Sequence, residues 1–217
     1  MTYTGDVTVG GPSDTREIGG VTLTKLAVGG MHNNAYLLVD GTGQGLLIDA
    51  AAEPERLLAM IGDTPVVKIV TTHQHADHWQ ALAAVKAATG AVTVAHPADA
   101  PGIPVPTDEL VEDGGTVSFG DTVLSVTHLV GHTPGSIALT LDAGGTAPHL
   151  FTGDCLFPGG VGNTQKDSSR FASLYDGVVA KIFDRLPDAT WVYPGHGGDT
   201  TLGAERPHLE EWRERGW

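Results

Sequence analysis

Three imidazoles and a carboxylate fall within six residues, His73-Gln74-His75-Ala76-Asp77-His78, separated by two residues from the largely apolar run 66–70 that precedes them and directly before a helical pattern. Extended backbone sends His73 and His75 to the same side, where they can grip one cation. Asp77 and His78, in the turn that enters the helix, are then free to face a second. Imidazole with carboxylate suits Zn2+, Fe or Mn and offers little to the all-oxygen cages of Ca2+ or Mg2+. A solvated polar turn with surface histidines is the plain alternative, and it asks nothing of the rest of the chain. A metal centre does: further donors must arrive from other segments.

Such donors are present. Gly131-His132-Thr133-Pro134-Gly135 follows a strand ending at Val130, Gly153-Asp154 follows a strand at 150–152, and Gly195-His196-Gly197 follows a strand at 191–193. One histidine after one strand is ordinarily a satisfied polar side chain. Four strand-then-turn contexts that each carry a donor point to loops converging on one edge of the sheets.

Alternation and short apolar runs predict strands at 21–26, 35–39, 46–48, 66–70, 92–94, 137–141, 150–152 and 191–193, with a hairpin over 117–129 that turns at Gly120-Asp121. Helical spacing predicts 53–61, with Pro54 in its first turn, 81–88 stopped by Gly90, 171–186 and 204–213. Strands and helices are interspersed in both halves, with hairpins in each. That pattern predicts α/β layers around mixed sheets, not a doubly wound parallel sheet. No repeat or linker divides the 217 residues, so 1–217 reads as a single domain, long enough to bury a core without staples.

The charge balance argues against two classes of partner. Twelve Lys and Arg against 26 Asp and Glu give a net charge of −14, which repels phosphate backbones and anionic lipid. Neither nucleic acid nor a membrane surface is expected, and a small-molecule substrate is. The one cysteine, Cys155, permits no internal disulfide and no cysteine-rich metal module. Strand parity turns it away from the face of Asp154, where it reads as a small buried hydrophobe. The N-terminus has no basic or apolar segment of a secretion signal, and no stretch approaches the roughly 18 apolar residues of a membrane span. A cytoplasmic location is therefore expected.

In chain order, His73-x-His75-x-Asp77-His78, Gly131-His132, Gly153-Asp154 and Gly195-His196-Gly197 resemble the metallo-β-lactamase-fold hydrolases over about residues 23–196. Phe151-Thr152-Gly153-Asp154, Leu156-Phe157 and Tyr193-Pro194-Gly195-His196-Gly197 are most similar to the glyoxalase II-like branch. The resemblance implies an αββα four-layer sandwich, two mixed sheets flanked by helices, with the metal site along one edge. It implies two Zn2+ ions, with iron or manganese, one ion or two, as alternatives. His73, His75 and His132 would hold one ion, Asp77, His78 and His196 the other, and Asp154 would bridge them. The implied reaction is cleavage of a thioester or related acyl bond of a small molecule by a metal-bridging hydroxide, which two adjacent cations generate without a separate general base. Asp77, able both to ligate and to orient that hydroxide, is the catalytic candidate.

Three side chains are candidates for holding substrate. Tyr36 lies with Asn33 and Asn34 near a strand start that the resemblance places beside the metals. His96 ends a buried strand before Pro97 and can line the mouth of the site. Asn163 belongs to the loop 158–169, rich in glycine and polar residues and suited to a pocket rim. In the glyoxalase II-like branch a basic residue at the place of Asn163 holds glutathione's carboxylates. Here Asn163 is neutral, Lys166 and Arg170 are out of register, and about 20 residues follow His196, so glutathione is not the expected thiol carrier.

Two other activities share the motif. One is a persulfide dioxygenase-like oxidoreductase with a single iron on His73, His132 and Asp154; the other is a lactone or β-lactam hydrolase. Aspartate rather than cysteine at 154 argues against the lactam. The complete set of seven donors argues against a non-catalytic binding module, and the sequence leaves the oligomeric state open.

Overall fold

A strand buried on both faces needs a layer on each side of it, and several strands here are of that kind. In Asn33–Val39 every residue but the last is buried, and in Gly45–Ile48 and His149–Gly153 all are. The computed structural model, which describes residues 2–142, 144–145 and 147–216, supplies those layers as two face-to-face sheets with helices outside.

The first sheet takes its strands in chain order: β1 (Asp14–Ile18), β2 (Val21–Val28), β3 (Asn33–Val39), β4 (Gly45–Ile48), β5 (Val66–Val70), β6 (Val92–Ala95) and β7 (Glu109–Leu110). β1 to β4 pair antiparallel and β4 to β7 parallel. The helices α1 (Pro54–Ile61) and α2 (Leu82–Thr89) make the crossovers into β5 and β6. The second sheet opens with β8 (Thr116–Phe119), β9 (Thr122–His128), β10 (Ile137–Leu141) and β11 (His149–Gly153), all antiparallel. A small hairpin of β12 (Leu156–Phe157) and β13 (Gly160–Val161) and the helix α3 (Ser168–Val178) come next. β14 (Trp191–Pro194) then returns parallel to β11, with β15 (Thr200–Thr201) at the edge. The chain closes with α4 (Leu202–Glu205) and α5 (Leu209–Arg215).

Side-chain parity sorts the core into three sheets of contact. Leu23, Leu38, Val70, Val126, Leu139 and Phe151 meet between the two sheets. Their alternates Leu37, Leu47 and Ile69 pack under α1 and α2 on Leu57, Ile61 and Leu82. On the far side, Ala138, Leu150 and Val192 pack on Leu174, Val178 and Trp212 of α3 and α5. Burying each such leucine or valine stabilises the fold by roughly 1.5–3 kcal/mol before entropy is counted. The result is the expected αββα sandwich. No described helix is long and apolar enough to cross a membrane.

Three expectations change. Tyr36 does not face a substrate: it is 2% exposed in the inter-sheet core, with its ring 5.3 Å from that of Phe151 and its hydroxyl donating to the Pro194 carbonyl at 2.6 Å. Along β3, Ala35 and Leu37 face the helices, so Tyr36 must face the other sheet. The helix predicted over 204–213 is split, because Pro207 has no N–H to donate and clashes with a preceding helical turn. It sits in the 3-10 turn Arg206–His208 between α4 and α5. The helix predicted over 171–186 starts earlier, where the Asp167 carboxylate caps the N–H groups of Ser169 and Arg170, and passes into a wide π turn at Val179–Phe183.

One end of the sandwich is fastened by a buried ion pair. The Lys25 ammonium of β2 donates to Asp199 Oδ1 at 2.6 Å, to the Gly5 carbonyl at 2.8 Å and to the Gly197 carbonyl at 2.9 Å. Tyr3 and Trp191 donate to the other oxygen of Asp199. Removing one partner would strand a buried charge, so Lys25→Met is expected to lower the unfolding free energy by about 3–5 kcal/mol. A denaturant titration showing a loss below about 1 kcal/mol, the scale of an exposed pair, would contradict this.

His149 gives the fold a pH dependence. Burial, with Arg16 nearby, pushes it down from 6.5 to about 4, and it stays neutral beside the Tyr193 hydroxyl at 2.8 Å. As pH falls, the unfolded chain takes up this proton before the folded one does. The stabilisation is therefore whole above about pH 6.5 and is lost towards pH 4. His149→Gln is expected to flatten the stability curve in that window; an unchanged slope would count against it.

Candidate metal centre

β9, β11 and β14 run in one direction, as do β4, β5 and β6, so the C-terminal ends within each set share an edge of its sheet. Every donor singled out in the sequence lies just past such an end. His73 and His75 leave β5, and Asp77 and His78 lie in the 3-10 turn Ala76–His78 that follows. The second sheet delivers His132 after β9, Asp154 after β11 and His196 after β14.

The donor atoms of His73, His75 and His132 lie within 4.8 Å of one another; so do those of Asp77, His78 and His196, and those of His73, His78 and Asp154. His73 Nε2 is 3.1 Å from His75 Nδ1 and 3.3 Å from His132 Nε2. His196 Nε2 is 3.3 Å from both His78 Nε2 and Asp77 Oδ2. Asp154 stands between the two groups, with Oδ2 3.5 Å from both His132 Nε2 and His196 Nε2 and Oδ1 3.3 Å from His78 Nε2.

Four of the five rings are aimed from behind. Nδ1 of His78 meets Asp49 at 2.8 Å, that of His132 the Asn163 carbonyl at 2.8 Å, that of His196 the Met31 carbonyl at 2.9 Å, and that of His73 the Thr72 hydroxyl at 3.1 Å. A proton kept on Nδ1 by such an acceptor leaves the Nε2 lone pair for a cation, the arrangement usual behind metal-binding histidines.

The charges are balanced internally. Burial and the neighbouring His78 hold His73 well below its usual range, and burial lowers His132. Burial would lower His78 too, but Asp49 and Asp154 outweigh it and raise the ring to about 10. His196 is likewise raised to about 9 against burial by Asp154 and Asp77. Asp77 is held low by His196, against burial, with help from Asn33, and Asp154 is held well below its usual range by His196 and His78, again against burial.

These residues fit a metal centre. Asp154 Oδ1 is buried, and no hydrogen bond from a described residue reaches it. A Cβ placed on Gly195 would fall 2.3 Å from that oxygen and 2.7 Å from His78 Cε1, so glycine keeps the space beside them open. Cations entering a set of five imidazoles and two carboxylates would take the place of the protons on His78 and His196. Gly195→Ala is therefore expected to lower the metal bound per chain, measured by elemental analysis after reconstitution. Full loading of that variant would contradict the fit.

Other candidates fall differently. Asn163 is at the site but acts through its backbone: its carbonyl holds His132, while its side chain accepts from the Gln165 N–H at 2.7 Å. His96 does not line the cavity beside the donors. It is 7% exposed, stacked on His128 with centroids 3.8 Å apart, and Nδ1 accepts from the Ala98 N–H. Arg170 donates to the Gly131 and His132 carbonyls and so fastens the His132 loop. Asn33 donates to Asp77 Oδ2 at 2.8 Å. Cys155 is fully buried among Leu129, Leu150 and Leu156, and burial pushes its thiol up, which leaves it protonated.

Two buried carboxylates, Asp49 and Asp99, escaped the sequence reading. Asp49 comes directly after β4, a signal that was available; it accepts from the Thr72 N–H and hydroxyl as well as from His78. Asp99 lies in the proline-rich loop after β6, where nothing marks it. Beside His75 and His132 opens a cavity of about 600 Å3 that Gln74, Thr133, Arg170 and Ser173 also line.

A family model for the metallo-beta-lactamase superfamily matches residues 28–196. The chain is 38% identical over 168 residues to a hydroxyacylglutathione hydrolase of Polaromonas sp., a match that covers 76% of this chain and 62% of that relative. It thus spans about three-fifths of that enzyme's length. The crystal structure of ETHE1 from Myxococcus xanthus superposes with a TM-score of 0.77 at 31% identity, covering 88% of this chain and 84% of the other. A crystal structure of a di-iron-bound protein gives a TM-score of 0.68 at 33% identity, covering 84% and 96%.

Proposed function

The chain belongs to the metallo-beta-lactamase superfamily, and from that premise we propose that it is a dinuclear, zinc-dependent hydrolase that cleaves a thioester or related acyl bond of a small molecule. The placement of Asp154 carries the reading. One carboxylate is set between a three-histidine group and an Asp77–His78–His196 group, close enough to both to serve each. Ions bound there would lower the pKa of a coordinated water towards neutrality and polarise a carbonyl beside them.

The protein's own residues supply the rest. Asp77, kept ionised chiefly by His196 and fixed by the Asn33 amide, offers an acceptor that orients a water hydrogen. Held so low, it is a poor store for that proton, which must pass to the leaving group or to solvent. The 600 Å3 cavity is of small-molecule size, and none of the described residues lining it is acidic, although the chain carries −14 overall. Gln74, Thr133 and Ser173 give it hydrogen-bonding walls next to His75 and His132. At Asn163 a neutral side chain engaged with its own loop offers no anchor to a carboxylate, which supports a carrier other than glutathione.

A second reading, the single-iron oxidoreductase, draws on the closeness of His73, His132 and Asp154: His132 Nε2 lies 3.3 Å from His73 Nε2 and 3.5 Å from Asp154 Oδ2. One comparison separates the two. Zinc-loaded protein is expected to hydrolyse members of a thioester and lactone panel, and Asp154→Asn to lose bound metal and turnover together. Oxygen uptake with persulfides by iron-loaded protein, with no hydrolysis by the zinc form, would replace the hydrolase with the oxidoreductase. Full metal and unchanged turnover in Asp154→Asn would remove Asp154 from its role.

A further inference from the structure

We propose that Asp99 is the positioning residue of the three-histidine half of the centre, and this rests on the metal-binding reading above. Asp99 follows β6 in the first sheet and is completely buried. Its Oδ2 accepts from the Gln74 N–H at 2.9 Å and from the Thr133 hydroxyl at 2.5 Å, and its Oδ1 from the Gly135 N–H at 2.7 Å. Gln74 is the residue between His73 and His75, and its carbonyl accepts from the Trp79 indole at 2.8 Å. The peptide units flanking both donors are therefore gripped from two sides. Thr133 is next to His132. One carboxylate thus fastens the segments that carry all three donors, two from the first sheet and one from the second.

The contact is built closely. A Cβ on Gly135 would fall 2.6 Å from Asp99 N and 2.8 Å from its Cγ, so only glycine lets the His132 loop come this near. The three hydrogen-bond donors are neutral groups, which satisfy the carboxylate without cancelling its charge, so a cation held by the adjacent histidines gains from it. Asp49 is the buried carboxylate behind His78 Nδ1, and it also accepts from the Thr72 N–H and hydroxyl beside His73. The hydrogen bonds of Asp99 itself go to Gln74, Thr133 and Gly135, all beside the three-histidine group.

That placement makes the test specific. In Asp99→Asn the shape is kept, but an amide N–H must face either the Gly135 N–H or the Gln74 N–H, and one loop is released. Zinc and cobalt affinities are measured by chelator competition, with the cobalt absorption spectrum as a second readout. Two single-site backgrounds are used: His78→Ala, which keeps His73, His75 and His132, and His75→Ala, which keeps Asp77, His78 and His196. Asp99→Asn is expected to weaken the ion in the His78→Ala background by about 10–100-fold, the usual effect of losing such an outer partner, and to shift its cobalt spectrum. In the His75→Ala background the affinity should not change. Thr133→Val, which removes one of the three hydrogen bonds, should act in the same direction by less, and thermal unfolding of the metal-free proteins shows whether each variant folds. Equal weakening in both backgrounds, or reduced stability with intact affinity, would overturn the role of Asp99. Failure of the unsubstituted protein to bind zinc or cobalt would overturn the metal centre itself.

Discussion

Seven donors must meet at one edge although they belong to two different sheets, and the rest of the structure is arranged around holding that seam. Each donor group mixes the sheets: His73 and His75 with His132, and Asp77 and His78 with His196. A slide of one sheet against the other by an ångström would separate both groups at once. Hydrogen bonds cross the seam where the donors are. The Ile137 N–H donates to the Thr72 carbonyl at 3.0 Å, and the Asn34 N–H to the Gly195 carbonyl at 2.7 Å. The Asn34 side chain and the Tyr36 hydroxyl both donate to the Pro194 carbonyl, one residue before Gly195. The packed core between the sheets supplies most of the cohesion, and these polar contacts select one alignment of it.

Electrostatics sets the second requirement. Five imidazoles and two carboxylates packed within a few ångströms would repel or remain unsatisfied in most arrangements. Here the two carboxylates stay ionised and His78 and His196 carry protons against them, while the buried His73 stays neutral. The set is therefore tolerable without ions and better satisfied with them, since cations can take over the balancing charge that the two protons supply. Asp154 Oδ1, 3.3 Å from His78 Nε2 and reached by no hydrogen bond from a described residue, is the local sign of that remaining need.

Much of this was legible in the sequence because the decisive signals are local. Two-residue spacing puts His73 and His75 on one side wherever the backbone is extended, and a glycine turn after an apolar strand marks where a donor leaves a sheet edge. The layered architecture followed from runs such as Leu46-Leu47-Ile48, buried on both faces. What stayed hidden depends on distant partners. Asp99 binds main-chain N–H groups and a hydroxyl 25 to 36 residues away, and an isolated aspartate in a proline-rich loop carries no trace of them. Tyr36 misled for a related reason. With Ala35, Leu37 and Leu38 all apolar, the pattern along β3 does not say which face meets the other sheet, and only the packed sandwich decides it. His96 shares that ambiguity, at the end of a short buried strand whose exit depends on the loop beyond it.

The proposed hydrolase requires two ions, one for each donor group, with His73, His75 and His132 on one side of Asp154 and Asp77, His78 and His196 on the other. Anomalous diffraction at the metal absorption edge, from crystals of the metal-loaded protein, tests it most directly. Two peaks are expected, one among His73, His75 and His132 and one among Asp77, His78 and His196, with Asp154 reaching both. A single peak, or two peaks of which Asp154 touches neither, would contradict it.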